Sequence, residues 1–157
     1  MDMLRRTLLK GVGSTGVLAA AVAAGVLKPT GAWAADWNHA AFEAKDLPVA
    51  MKAIGAAAAA ESKDLVLKAP DIAENGAVVP VDITSNIPNT VSLAVLVDKN
   101  PYPLSAAFDF ANGGVPEVSV RLKLGQTSNV KVVAKTADGK FYTVQKEVKV
   151  TVGGCGG

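Results

Sequence analysis

From Leu65 to Val152 apolar side chains recur at every second position, and that alternation commits most of the chain to β-structure. The clearest stretch is Glu117–Leu124, where Val118, Val120, Leu122 and Leu124 fall on one face and Glu117, Ser119, Arg121 and Lys123 on the other. One face is dry and the other wet, as in an antiparallel sheet packed on one side. Six further segments behave as strands: Leu65–Leu67, Ala77–Thr84, Thr90–Val97, Ala106–Phe110, Asn129–Thr136 and Phe141–Val152. The breaks between them have physical causes. Pro70 ends the first, Ser85-Asn86-Ile87-Pro88-Asn89 and Asn112-Gly113-Gly114 are turn sequences, and Asp138-Gly139 suits a tight hairpin. Asp98-Lys99-Asn100-Pro101-Tyr102-Pro103 must be a loop, because prolines at alternate positions lack the donors a central ladder needs. About seven short strands at regular spacing without intervening helices predict an all-β domain, an immunoglobulin-like antiparallel β-sandwich. An antiparallel barrel has the same pattern.

Short N-terminal helices precede the strands. Asp36 or Asn38 is placed to cap one through Lys45, with Trp37, Ala41 and Ala44 at helical spacing. Asp46 is placed to cap a second, with Pro48 in its first turn and Gly55 as its stop. His39, the only histidine, falls in this segment and reads as a surface or capping residue.

Beyond the last strand lies Gly153-Gly154-Cys155-Gly156-Gly157, which holds the only cysteine. Glycine buries no side chain and loses the most entropy when ordered, so the sequence predicts a flexible Gly-rich arm bearing a thiol. Cys155 is three residues past Val152, a reach of about 10 Å at about 3.3 to 3.6 Å per residue. A frayed terminus is the plainer alternative. No histidine, arginine or helix start is near Cys155 in sequence, so its thiol should titrate near the ordinary value of about 8.5. It is a handle, and any activation must come from a site that the arm enters.

The first residues predict export. Arg5-Arg6 precedes an uncharged apolar stretch from Val12 to Leu27, and Ala32-Trp33-Ala34 offers a peptidase site, so residues 1–34 read as a twin-arginine signal peptide cleaved after Ala34. Its removal takes four basic residues and one acidic residue, leaving 12 basic against 13 acidic and a net charge of about −1. No basic stripe remains for nucleic acid. The expected organisation is a signal at 1–34, a helical segment at 35–63, a sandwich at 64–152 and an arm at 153–157. The expected location is the periplasm, with no membrane association after cleavage.

One histidine and one cysteine cannot build an ordinary His/Cys metal site, so no metal or other cofactor is expected. No serine has the setting of a nucleophile elbow, and Asp98 and Asp109 show no acid/base spacing. The domain reads as non-catalytic. An exported chain with an odd cysteine points instead to intermolecular pairing or a reactive thiol. Export of folded cargo without a cofactor also suggests a partner carried along.

The twin-arginine leader, the small all-β domain and the terminal Gly-Gly-Cys-Gly-Gly together resemble the SoxY family, the sulfur-carrier subunit of bacterial thiosulfate oxidation. Thr84-Ser85-Asn86-Ile87-Pro88-Asn89-Thr90 and Lys99-Asn100-Pro101-Tyr102-Pro103-Leu104 add to the resemblance. It implies a heterodimer with a cysteine-free sandwich subunit, SoxZ. It also implies transient docking to a c-type cytochrome that joins thiosulfate to the cysteine, a manganese hydrolase that removes sulfate, and a sulfane dehydrogenase that oxidises the remaining sulfur. By resemblance, Cys155 carries the sulfur covalently and Gly153, Gly154, Gly156 and Gly157 let the loaded arm enter narrow channels. The rival from another class is an exported immunoglobulin-like structural subunit dimerised through a Cys155 disulfide. The glycine frame speaks against it, since a fixed covalent dimer gains nothing from mobility on both sides of the sulfur.

Overall fold

Residues 38–111 and 113–152 are described by the computed structural model of the chain. Two short helices, α1 (His39–Phe42) and α2 (Leu47–Ala53), precede nine strands. These are β1 (Ala60–Glu61), β2 (Leu65–Lys68), β3 (Ile72–Asn75), β4 (Val79–Ser85), β5 (Thr90–Val97), β6 (Leu104–Asp109), β7 (Glu117–Leu122), β8 (Ser128–Thr136) and β9 (Phe141–Val152). The segments expected from alternation all form strands, with ends displaced by up to two residues. Glu117–Leu124, for example, leaves the ladder at Leu122, although Leu124 stays fully buried.

The strands make two sheets. The larger runs β1-β9-β8-β5-β6, with β3 also paired to β9, and the smaller runs β2-β4-β7. In the smaller sheet Val79, Val81 and Ile83 stand opposite Leu122, Val120 and Val118, and Leu67 opposite Ile83, so one face is continuous hydrocarbon. It packs on Leu93, Val95 and Val97 of β5 and Val130, Val132 and Ala134 of β8, forming the main core. Two faced sheets, rather than a closed barrel, are therefore the architecture. The outer face of the smaller sheet is polar, with Ser119 Oγ donating to Asp82 Oδ1 at 2.6 Å.

The larger sheet is covered on its other face too. Leu96 and Val133 are nearly sealed under Ala41, Ala44, Ala50 and Ala56 of the helical segment, with Leu104 beside them. Burial on both faces is the reason Thr90–Val97 reads as an almost continuous apolar run. Plain alternation lets β5 serve both layers: Leu93, Val95 and Val97 face the main core, and Ala94 and Leu96 face the helical segment.

The helices depart from expectation in two details. Asn38 caps α1, its Oδ1 accepting from Ala41 N at 3.1 Å while its Nδ2 donates to Ala53 O at 3.0 Å, but α1 ends at Phe42 and not at Lys45. Asn38 thereby ties the two helices together. Asp46 occupies the cap position of α2 but makes no side-chain capping bond. Gly55 does stop α2, at φ +79, and a Cβ there would sit 3.3 Å from the Phe141 ring. Asp36 and Trp37 lie outside the described residues, as does Asn112 of the expected Asn112-Gly113-Gly114 turn.

Two strands were not expected, β1 and β3, and both pair parallel with β9. Ser62 N bonds Thr143 O and Lys149 N bonds Asp71 O. Positions 143 and 149 are an even number apart, so both bonds lie on the same edge of β9, the edge turned away from β8.

Candidate functional site

Cys155, Gly153, Gly154, Gly156 and Gly157 lie outside the described residues, and so do Arg5 and Arg6. What the structure describes is the mount from which the five-residue tail departs, at the end of β9.

That mount is held from several sides. Along β3, Ile72, Ala73 and Asn75 pair with Lys149, Val150 and Val152. Gly76 N donates to Val152 O at 2.8 Å, Thr151 Oγ1 to Glu74 O at 3.0 Å and Lys149 N to Asp71 O at 2.9 Å. On the other edge the amide of Val150 donates to Thr127 Oγ1 at 3.0 Å, continuing the contact after β8 has ended. Ala73 is buried and packs into the main core, which anchors β3 from below. Lys146 finishes the clip, donating to Ala69 O and lying 2.9 Å from Asp71 Oδ1. The hydrogen bond and charge of Lys146, aided by Lys149, hold the Asp71 carboxyl below its ordinary pKa.

Three loops gather at the same end of the sandwich. Gly76, in the β3–β4 turn, accepts from Leu124 N at 2.7 Å, joining the mount to the β7–β8 loop. Asn100 joins that loop to the next, its Nδ2 donating to Lys123 O at 2.7 Å and its Oδ1 accepting from Gly125 N at 3.2 Å. Asp98 closes the set by accepting from both the backbone and the side-chain nitrogen of Asn129, at 2.8 and 2.9 Å. The segment around Asn100 is thus a latch beside the mount.

Thr84–Thr90 is a turn at the opposite end, in which Ser85 and Thr90 are buried while Asn86, Pro88 and Asn89 are exposed. Ser85 Oγ and Thr90 Oγ1 are 2.7 Å apart, Thr90 Oγ1 donates to Ile87 O, and Asn89 takes a left-handed φ of 58. Satisfied hydroxyls explain why a polar turn is tolerated there. The neighbouring β8–β9 hairpin has Gly139 at φ +82 and an Asp138 carboxyl lowered to about 2, chiefly by its bond from Lys140 and then by that from Thr136. With 12 residues in β9, this end is about 36 Å from the mount.

Among the described residues no group of three or more His, Cys, Asp or Glu could hold a metal ion, and no helix is long and apolar enough to cross a membrane. His39 begins α1 on the surface. Asp98 and Asp109 are not brought together as a pair: Asp98 is engaged by Asn129, and Asp109 ends β6 at the other end of the molecule. Sequence reasoning missed the β3 clip and the Thr127 and Asn100 ties. The only signal was the four residues Ile72–Asn75 between Pro70 and Gly76, too few to show a period.

A protein family described as "Sulfur oxidation protein SoxY" matches residues 50–155, a stretch that ends on Cys155. Among solved structures, the chain is similar to the sulfur carrier protein SoxY from Chlorobium limicola f thiosulfatophilum. Identity is 39%, the match covers 64% of this chain and 94% of that one, and the TM-score is 0.57. It is also similar to a superoxide reductase (neelaredoxin) from Ignicoccus hospitalis, at 18% identity over 55% of this chain and 79% of that one, with a TM-score of 0.50. At that identity the likeness is one of fold. No curated protein matches the chain significantly.

Proposed function

The chain belongs to the SoxY family, and on that premise we propose that it is a sulfur carrier that holds thiosulfate-derived intermediates covalently on Cys155. The observation that carries the proposal is the extent of the family match, which runs through the sandwich and the mount to Cys155 itself. The described geometry supports it: a strand fixed on both edges up to Val152, followed by a short glycine-framed thiol.

In the proposed cycle the Cys155 thiolate and thiosulfate are joined through a new S–S bond, and the two electrons released pass to a c-type cytochrome. Water then cleaves the outer sulfur–sulfonate bond at a manganese hydrolase, giving sulfate and a persulfide that remains on the cysteine. A sulfane dehydrogenase oxidises that remaining sulfur. The chain contributes attachment and delivery, and the redox and hydrolytic groups belong to the enzymes it visits. It needs no cofactor of its own in this scheme. The carrier works in the periplasm as a heterodimer with a SoxZ-like sandwich, exported together through the Arg5-Arg6 signal.

Intact-mass measurement on protein from thiosulfate-grown cells tests the proposal. A sulfur adduct that is released by reductant and absent from Cys155→Ser is expected. Thiosulfate oxidation that persists in Cys155→Ser cells, or a Cys155–Cys155 disulfide as the sole modified form, would refute it.

A further inference from the structure

The covalent attachment proposed for Cys155 limits where its enzymes can touch this protein. Cys155 is three positions past Val152, a reach of about 10 Å when fully extended. An active site recessed below an enzyme's surface is reached only if that surface comes down onto the end of the sandwich from which the tail departs. The partner's footprint therefore falls on the mount and the loops tied to it.

That end is built differently from the other. Of the six large apolar side chains exposed among the described residues, Val78, Tyr102 and Val152 are gathered here, at 53%, 53% and 61% exposure, while the other end has Val115 alone. Val78 follows the turn bonded to Val152, and Tyr102 is in the loop latched by Asn100. Lys99 and Lys123 are exposed on either side of that latch. The acid of these loops, Asp98, is turned onto Asn129. At the far end, by contrast, Lys140 lies 2.8 Å from Asp138, so charge there is locally balanced. Hydrogen bonds among the three loops fix the surface in advance, which lowers the entropy lost on docking.

We propose that this end, centred on Val78, Tyr102 and Val152 and edged by Lys99 and Lys123, is the docking surface for the enzymes that act on Cys155. The partner it fits is a protein whose channel mouth is apolar at the centre and rimmed by carboxylates. Complementary charge speeds and orients the encounter, while the desolvated aromatic and aliphatic anchors hold it. The inference rests on the carrier reading and adds the surface through which delivery occurs.

The test uses the mature heterodimer. Tetrathionate loads it without an enzyme: the Cys155 thiolate attacks a central sulfur, forming the S-thiosulfonate and releasing thiosulfate. The loaded carrier is then given to the sulfate-releasing hydrolase, and sulfate is followed against carrier concentration. Val78→Glu and Tyr102→Glu should each raise KM at least about tenfold, the scale expected for an anchor residue, with kcat held within about twofold. Lys99→Glu with Lys123→Glu should lower kcat/KM and flatten its salt dependence. Val115→Glu, exposed at the opposite end, should behave as wild type. Maleimide labelling of Cys155 should be equal in all variants, which separates docking from exposure of the thiol. A KM within about twofold of wild type for both Val78→Glu and Tyr102→Glu, or an equal rise in Val115→Glu, overturns the docking surface. Wild-type carrier that loads but yields no sulfate overturns the carrier reading itself, and the docking surface with it.

Discussion

Ala73→Asp separates the mount from the sandwich it stands on. Ala73 is buried in the main core opposite Val150, and its methyl is what seats β3. A carboxyl there has two outcomes, and their costs differ. If β3 stays, the group must be neutral at pH 7, about three units above its ordinary pKa, which costs about 4 kcal/mol at about 1.4 kcal/mol per unit. Burying the neutral carboxyl without a partner adds about 1 to 3 kcal/mol. If β3 leaves, the chain forfeits its ladder with β9 together with the Lys149–Asp71, Gly76–Val152 and Thr151–Glu74 bonds, about six bonds at about 1 kcal/mol each, most of them at the exposed surface where water replaces them. It also loses one buried methyl, about 0.8 kcal/mol, and regains part of the chain entropy spent in ordering β3. Release is cheaper, so β3 should detach while the two sheets persist. Hydrogen exchange with mass-spectrometric readout should show lost protection in the 69–78 and 149–152 peptides and retained protection in β5 and β8. Retained protection at 69–78, or loss of protection throughout, would refute the idea that β3 is a separable clip.

Other perturbations test other links. Leu96→Ala empties a fully buried site between the larger sheet and the helical segment, and urea unfolding should show a loss of about 3 kcal/mol. A loss below about 1 kcal/mol would mean that the helices are not seated there. Asp71, whose carboxyl is held below its ordinary value of 3.8 by Lys146, contributes to the clip above that value and loses its contribution as pH falls through the lowered pKa. The amide shifts of Lys149 and Gly76 should move below pH 3.8 in wild type and stay flat in Asp71→Asn. Gly154→Val and Gly156→Val keep the thiol but stiffen and widen the tail. Enzymatic loading of Cys155 should fall at least about tenfold, a barrier of about 1.4 kcal/mol, with labelling by small thiol reagents unchanged.

The sandwich was legible because its strands are amphipathic over six or more residues, long enough for a period of two to stand out, as in Val79–Ser85 and Glu117–Leu122. Val118, Val120 and Leu122 pointed to one face, and they line one face in the structure. The second layer on the larger sheet was hidden in plain composition: Ala41, Ala44, Ala50 and Ala56 are too small to mark an apolar stripe, yet they pack closely on Leu96 and Val133 because they are small. The site divides the same way. The family likeness of the tail is written in Gly153–Gly157, a contiguous motif, and the match through residue 155 agrees with it. The mount is not contiguous. Gly76, Thr127, Asn100 and Val152 are brought together only by the fold, and Thr127 and Asn100 hold their neighbours through one and two polar side-chain contacts, for which sequence has no period.

Parallel pairing along the last residues of β9 has a further consequence for contact between copies of the chain. A terminal strand with open donors and acceptors is a template on which a second copy can add a strand. An unpaired β9 would offer such an edge at its last residues, Lys149 to Val152. Because Ile72, Ala73 and Asn75 of β3 pair along one edge and Thr127 takes the Val150 amide on the other, the end of β9 is already paired on both sides. The strand left outermost there is β3, which at four residues offers a second copy only a short ladder.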